Sequence, residues 1–150
     1  MLINRLLEVC SALSRVLCTL EWEDSPMSEW KTSENIQTLL QPFAQYTSLI
    51  SGEEYTTLSA IIPAILELSL HLEQMKKVTG VAEPATTLLT ELKHRFRKFT
   101  DPMSFDHDPL FLTATALDPR YRVLLNPSQK ESARKELLKH FKDCQSRICQ

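Results

Sequence analysis

An all-α bundle of about five to seven helices is what this sequence predicts, and three observations carry that expectation. Apolar residues recur at i, i+3 and i+4 through nearly the whole chain, the stripe of a helix that packs on one side. The 150 residues include only two glycines, Gly52 and Gly80, whereas the tight turns of a many-stranded sheet lean on glycine for positive φ. Most of the prolines and the polar clusters fall between the periodic stretches, where helices stop. At this length a single domain over residues 1–150 is expected, able to bury roughly 68–70% of its unfolded surface without metals or disulfides.

The first helix carries Ile3, Leu6, Leu7, Cys10, Leu13, Leu17 and Leu20 on one stripe, widened by Leu2, Val9 and Val16. It should end near Trp22, before the polar break Glu23-Asp24-Ser25-Pro26. No capping residue precedes it, as expected of a helix cut from a longer parent. The second helix starts near Ser28 or Ser33 and buries Ile36, Leu39, Leu40, Phe43, Thr47 and Ile50. Pro42 lies inside it and should kink or split it, and Ser51-Gly52-Glu53-Glu54 should close it.

Residues 55–79 are apolar over most of a helix circumference, which predicts a central helix. Pro63 marks its start or a kink. Its narrow polar strip holds Ala60, Ala64, Glu67, His71 and Gln74, and the i, i+4 spacing of Glu67 and His71 predicts a side-chain hydrogen bond between them rather than a metal site. A loop through Thr79, Gly80 and Pro84 leads to a helix over about Ala85–Phe99. Leu88, Leu89, Leu92, Phe96 and Phe99 form its inner face, and Lys93, His94, Arg95, Arg97 and Lys98 the densest basic patch in the chain.

The segment "DPLFLTATALDPRYRVLL" from Asp108 to Leu125 admits two readings. A strand ending in Asp118 would resemble the carboxylate of a metal-dependent nuclease. Helix chemistry argues harder. Asp108 is an N-cap type, Pro109 suits the first helical position, and Leu110, Phe111, Ala114 and Leu117 keep helical spacing. Pro119 should stop the helix at Asp118, whose side chain can form an Asx-type turn. The last helix follows Asn126-Pro127, with Ser128 and Glu131 as an S-x-x-E capping box. Its apolar face is Ala133, Leu137, Leu138, Phe141, Cys144 and Ile148, and Glu131–Lys135 is an i, i+4 ion pair.

The net charge of −2 hides an asymmetry. Residues 1–90 hold five Lys/Arg against eleven Asp/Glu, a net of −6; residues 91–150 hold twelve against eight, a net of +4. A basic half suits an anionic partner, through phosphate neutralisation and counterion release, or a set of solvated helix faces. Cys10, Cys18, Cys144 and Cys149 lack zinc-ligand spacing, so neither metal nor cofactor is expected. No secretory signal and no uninterrupted run of ~20 apolar residues is present, so a reducing cytosolic or nuclear setting, without membrane insertion, is the plain expectation.

The spaced motifs resemble a known family. "LDPRYR" at Leu117–Arg122 is similar to the L-D-P-R-[YF]-K signature of hAT-type DNA transposases and their domesticated, BED-zinc-finger descendants. Upstream, Trp30, Leu40, Pro42, Phe43, Thr47, Gly52, Tyr55, Leu58 and Pro63 fit the family's W…L…L.PF…T..LSG..YPT.S...P pattern in order. Thr56-Thr57 stands where Pro-Thr is usual, and Arg122 where lysine is usual. The likeness spans roughly residues 20–125. It implies that this chain corresponds to the helical insertion of an RNase H-like transposase, with Trp30, Pro42, Phe43, Gly52, Tyr55, Pro63, Asp118, Pro119, Arg120 and Tyr121 as structural signature residues. The family's catalytic carboxylates lie outside that insertion, and this sequence holds neither an RNase H strand set nor zinc-finger spacing.

Three functions therefore compete. The first is a non-catalytic, transposase-derived scaffold or interaction domain of a nuclear, DNA-associated or transcription-regulatory protein. It would self-associate or bind a protein partner, with DNA contact through Lys93, Arg95, Arg97, Lys98, Arg120 and Arg122. The second is part of a strand-transfer enzyme whose carboxylates lie elsewhere. The third is a protein–protein adaptor with no nucleic-acid role. No small-molecule substrate is evident.

Overall fold

The computed structural model describes residues 2–21, 27–51 and 58–148, and among these it is all-α with six helices and no strand. They are α1 (Leu2–Thr19), α2 (Met27–Ile50), α3 (Ile61–Met75), α4 (Ala82–Thr100), α5 (Pro109–Leu117) and α6 (Pro127–Ile148), with 3₁₀ turns at Leu58–Ala60 and Arg122–Leu124. Among the described residues no helix is long and apolar enough to cross a membrane. Trp22, Gly52, Tyr55 and the Ser51–Glu54 turn beyond Ser51 fall outside the described residues.

Proline placement explains the boundaries. Pro63 and Pro84 each occupy the third position of a helix, α3 and α4, where the missing N–H would have had no intrahelical partner anyway. Pro63 therefore starts a helix rather than kinking one, and α4 begins at Ala82, three residues ahead of the expected Ala85. Pro42 sits inside α2, which continues through it as one helix of 24 residues. The cost is the α-helical partner of the Thr38 carbonyl.

α3 is the central helix. It packs against α2, α4 and α5, and its buried Leu68, Leu72 and Met75 join Leu39 of α2 and Val81, Ala85, Leu89 and Leu92 of the α4 region in the main core. A second, smaller core joins Ile62 of α3 to Leu112 of α5, Leu125 and Ala133 of α6. The circumference of α3 is less uniformly covered than its sequence suggests: Ala64 is buried, while Leu66 and Leu70 are exposed. The expected Glu67–His71 bond does not form. Glu67 instead accepts from the Tyr46 hydroxyl of α2, and His71 Nε2 is buried with no hydrogen-bond partner among the described residues.

The start of α6 differs from expectation in an instructive way. The cap is not Ser128–Glu131 but Asn126–Gln129. Gln129 N–H donates to Asn126 Oδ1 at 2.9 Å, and Asn126 N–H donates to Gln129 Oε1 at 3.0 Å. This is the reciprocal capping-box geometry two residues earlier, with Pro127 in the first helical position. It prevails because Gln129, buried, also donates to the Thr100 carbonyl at the end of α4 (2.7 Å), tying the cap to the bundle. Glu131 pairs with Arg134 at 3.9 Å rather than with Lys135. The apolar face of α6 is covered at Ala133 but not at Leu138 or Phe141, which are exposed.

Candidate functional site

The LDPRY segment forms a junction between the end of α5 and the start of α3. α5 opens with Asp108, whose Oδ1 accepts from Leu110 N–H at 3.0 Å, and Pro109 in the first turn. It closes at Asp118, which Pro119 holds in an extended conformation (φ −84°, ψ 114°). The segment is thus a capped helix with a proline-enforced stop, not a strand.

The Asp118 carboxylate is engaged on both oxygens. Oδ1 accepts from the Arg120 backbone N–H at 3.0 Å, an Asx turn, and from Arg120 Nε at 3.0 Å. Oδ2 accepts from Arg120 Nη2 at 2.8 Å and from Ser59 Oγ at 2.9 Å. The Arg120 guanidinium, followed by the Arg120 amide and Ser59, holds the Asp118 carboxyl well below the usual carboxylate range. Arg120 also lies over the Tyr121 ring, 5.1 Å from its centroid.

Sequence reasoning missed Ser59 and Thr115, and both belong to this junction. The Ser59 carbonyl has no α-helical donor, because Pro63 four residues on lacks an N–H. Thr115, fully buried, lies within reach: its Oγ1 is 3.2 Å from that carbonyl and 2.8 Å from its own-helix Phe111 carbonyl, so one proton is shared. Pro63 and Asp118, signature positions 55 residues apart, are thereby linked through Ser59. Beside them, burial, then the bond to Glu67 and its charge, push the Tyr46 phenol up to about 12, with Tyr121 close enough to add to the effect.

The cations expected to act together fall in two places. Lys93, Arg95, Arg97 and Lys98 are all exposed on α4, but at 3.6 residues per turn Lys93 and Arg97 lie on one flank and Arg95 and Lys98 on the other. Lys93 pairs with Glu73 at 3.6 Å, Arg95 with Glu91 at 3.2 Å, and Lys98 stacks over Phe99 at 4.8 Å. Arg97 and Lys98 add their field to the Ser104 hydrogen bond that lowers the Asp106 carboxyl. Arg120 and Arg122 lie past the other end of α5, a nine-residue helix spanning roughly 13 Å. Of the remaining signature residues, Trp30 is half-buried in α2 with its Nε1 unpartnered among the described residues, and Phe43 packs on the main core. Among the described residues no three His, Cys, Asp or Glu side chains converge in a way that could hold a metal ion.

The sequence is similar to that of a Caenorhabditis elegans protein described as zinc finger BED domain-containing protein 39, with 28% identity over 109 residues. The matched stretch is 71% of this chain and 11% of that protein, so the chain spans about a tenth of the length of the curated relative it matches. No family model matches the sequence. No solved structure matches it.

Proposed function

We propose that this chain is a non-catalytic helical scaffold and interaction domain, derived from the insertion region of a hAT-type transposase and serving a nuclear, DNA-associated protein. The observation that carries the reading is the Asp118 junction. A carboxylate whose two oxygens accept four hydrogen bonds from Ser59 and Arg120 has its lone pairs committed to architecture and none left for a metal or an attacking water. The signature motif thus fixes where α5 meets α3. The likeness to a BED zinc-finger protein and the hAT-like motif order support the DNA-associated setting.

DNA contact, on this reading, is electrostatic and comes from α4. The ion pairs of Lys93 and Arg95 are exposed and weak in water, so phosphates can replace Glu73 and Glu91 at small cost. The test is anisotropy of a labelled duplex across a salt series from about 50 to 200 mM. Affinity should fall with salt, and Arg95→Glu with Arg97→Glu should flatten the log–log slope by about two. A salt-independent signal sinks the phosphate-contact reading. Metal-dependent nicking by the chain that Asp118→Asn abolishes would overturn the non-catalytic one.

A further inference from the structure

We infer that the loop between α4 and α5 is a wedge for duplex DNA: Met103 and Phe105 enter a base step while cations of α4 and α6 hold the phosphates on either side. This deepens the DNA contact proposed for α4 and rests on it. At the apex of the loop Phe105 is fully exposed and Met103 is 86% exposed. The loop is built to hold them there. Asp101 Oδ1 accepts from Met103 N–H at 3.0 Å, and the Asp101 carbonyl accepts from Ser104 N–H at 3.1 Å. The Ser104 carbonyl accepts from His107 N–H at 3.1 Å, and Ser104 Oγ donates to Asp106 Oδ1. The return to α5 is fastened to the Lys98 carbonyl, which accepts from Asp108 N–H at 2.9 Å and from His107 Nδ1 at 3.0 Å. The apex is therefore pre-organised before any partner arrives. Its two carboxylates, Asp101 and Asp106, are engaged within the loop.

The same bonds set the loop at the seam of two cationic helices. His107 Nε2 lies 3.3 Å from Ser132 Oγ of α6, and Gln129 of α6 donates to the Thr100 carbonyl that ends α4. On the α4 side stand Arg97 and Lys98, both exposed. On the α6 side Lys135 and Lys139, also exposed, follow Ser132 by three and seven residues and so share the helix face that meets His107. Glu136, the acid on that face, is taken up by Lys139 at 3.7 Å and His140 at 3.1 Å. Sequence separates these four cations by up to 42 positions; the fold gathers them around one apolar tip. An apolar side chain flanked by cations is how DNA-bending proteins part a base step, the tip entering the stack and the cations meeting phosphates. A membrane surface also attracts cation-flanked apolar residues, but its hold scales with buried apolar area, and two side chains offer little.

The test uses the full chain and a duplex rich in TA steps, which unstack most easily, with 2-aminopurine in place of one adenine. Anisotropy reads binding, and 2-aminopurine fluorescence, which rises when the base loses its neighbours, reads unstacking. The parent chain should bind and brighten the probe. Phe105→Ala should abolish the brightening and weaken binding at least about fivefold, with the salt slope unchanged because no phosphate contact is lost. Phe105→Leu, still an apolar wedge, should keep most of the signal. Lys135→Ala with Lys139→Ala should instead flatten the slope by about two. All these positions are exposed, so circular dichroism should show helicity retained. Salt-dependent binding with a dark probe, or with Phe105→Ala indistinguishable from the parent, overturns the wedge and leaves the α4 contact standing. Duplex binding that ignores salt overturns both. Phe105-dependent capture by phosphatidylserine vesicles, with the duplex left stacked, overturns the wedge in favour of a membrane.

Discussion

Two threonines two residues apart on α5 should respond in opposite directions to the same substitution. Thr115 is fully buried, and its hydroxyl supplies the Ser59 carbonyl with the donor that Pro63 cannot. Thr115→Val keeps shape and volume but leaves that carbonyl buried and short of a partner, a cost of about 1–2 kcal/mol. Thr113 is 8% exposed, and its Oγ1 has no partner among the described residues. Thr113→Val removes a buried hydroxyl that gains nothing, so it should be neutral or stabilise by about 1 kcal/mol. For 150 residues the unfolding entropy of ~2.1 cal/mol/K per residue makes 1 kcal/mol equal to about 3 °C in Tm. Differential scanning fluorimetry should then place the two variants about 3–9 °C apart, with Thr113→Val the higher. Equal losses, or the reverse order, would refute the assignment of Thr115 as the donor that stands in for Pro63 at the Ser59 carbonyl.

The Asp118 carboxyl is held low in the fold, so its contribution is fully present above the unfolded value of about 3.9 and is lost as pH falls below it. Acid titration followed by circular dichroism should show the parent chain losing stability over that window more steeply than Asp118→Asn, which has no charge to lose. Asn126→Ala removes the side-chain half of the α6 cap and should cost about 1 kcal/mol in a urea melt; a change at Ser128 of equal size would restore the S-x-x-E reading. Gly80 has φ +86°, and a Cβ there would approach Thr32 Oγ1 to 3.3 Å, so Gly80→Ala should destabilise by at least about 1 kcal/mol in the same melt.

What the sequence made legible was local. Asp108, Pro109 and Pro119 are capping and stopping signals that act within one turn, so the bounds of α5 could be read from their order. The leucine and isoleucine density of residues 58–75 likewise identified the central helix. Tertiary partners were not legible. Asn126 and Ser128 are both acceptable caps, and the choice fell to Asn126 because Gln129, three residues on, also reaches Thr100 across the bundle. Glu67 turned from His71 to Tyr46 for the same kind of reason, since α2 brings a phenol within reach of it. Ser59 carried no signal at all, because its role depends on a residue 59 positions away.

The two sets of cations should therefore be weighed differently. Arg120 is the more suggestive in sequence, standing inside the signature, yet its guanidinium makes two bonds to Asp118 and stacks on Tyr121. Giving it to a phosphate would break both guanidinium bonds to the Asp118 carboxylate that ends α5. Arg97 and Lys98 have the blander explanation of favouring the C-terminal end of the α4 dipole. That explanation, however, leaves their charged groups in solvent and holds no carboxylate in a geometry the fold needs. A partner anion can be accommodated at α4 without any change in architecture, while at Arg120 it competes with the fold itself. For this reason Arg120→Ala should lower Tm, whereas Arg97→Ala should change only the salt dependence of binding and leave Tm within about 1–2 °C of the parent.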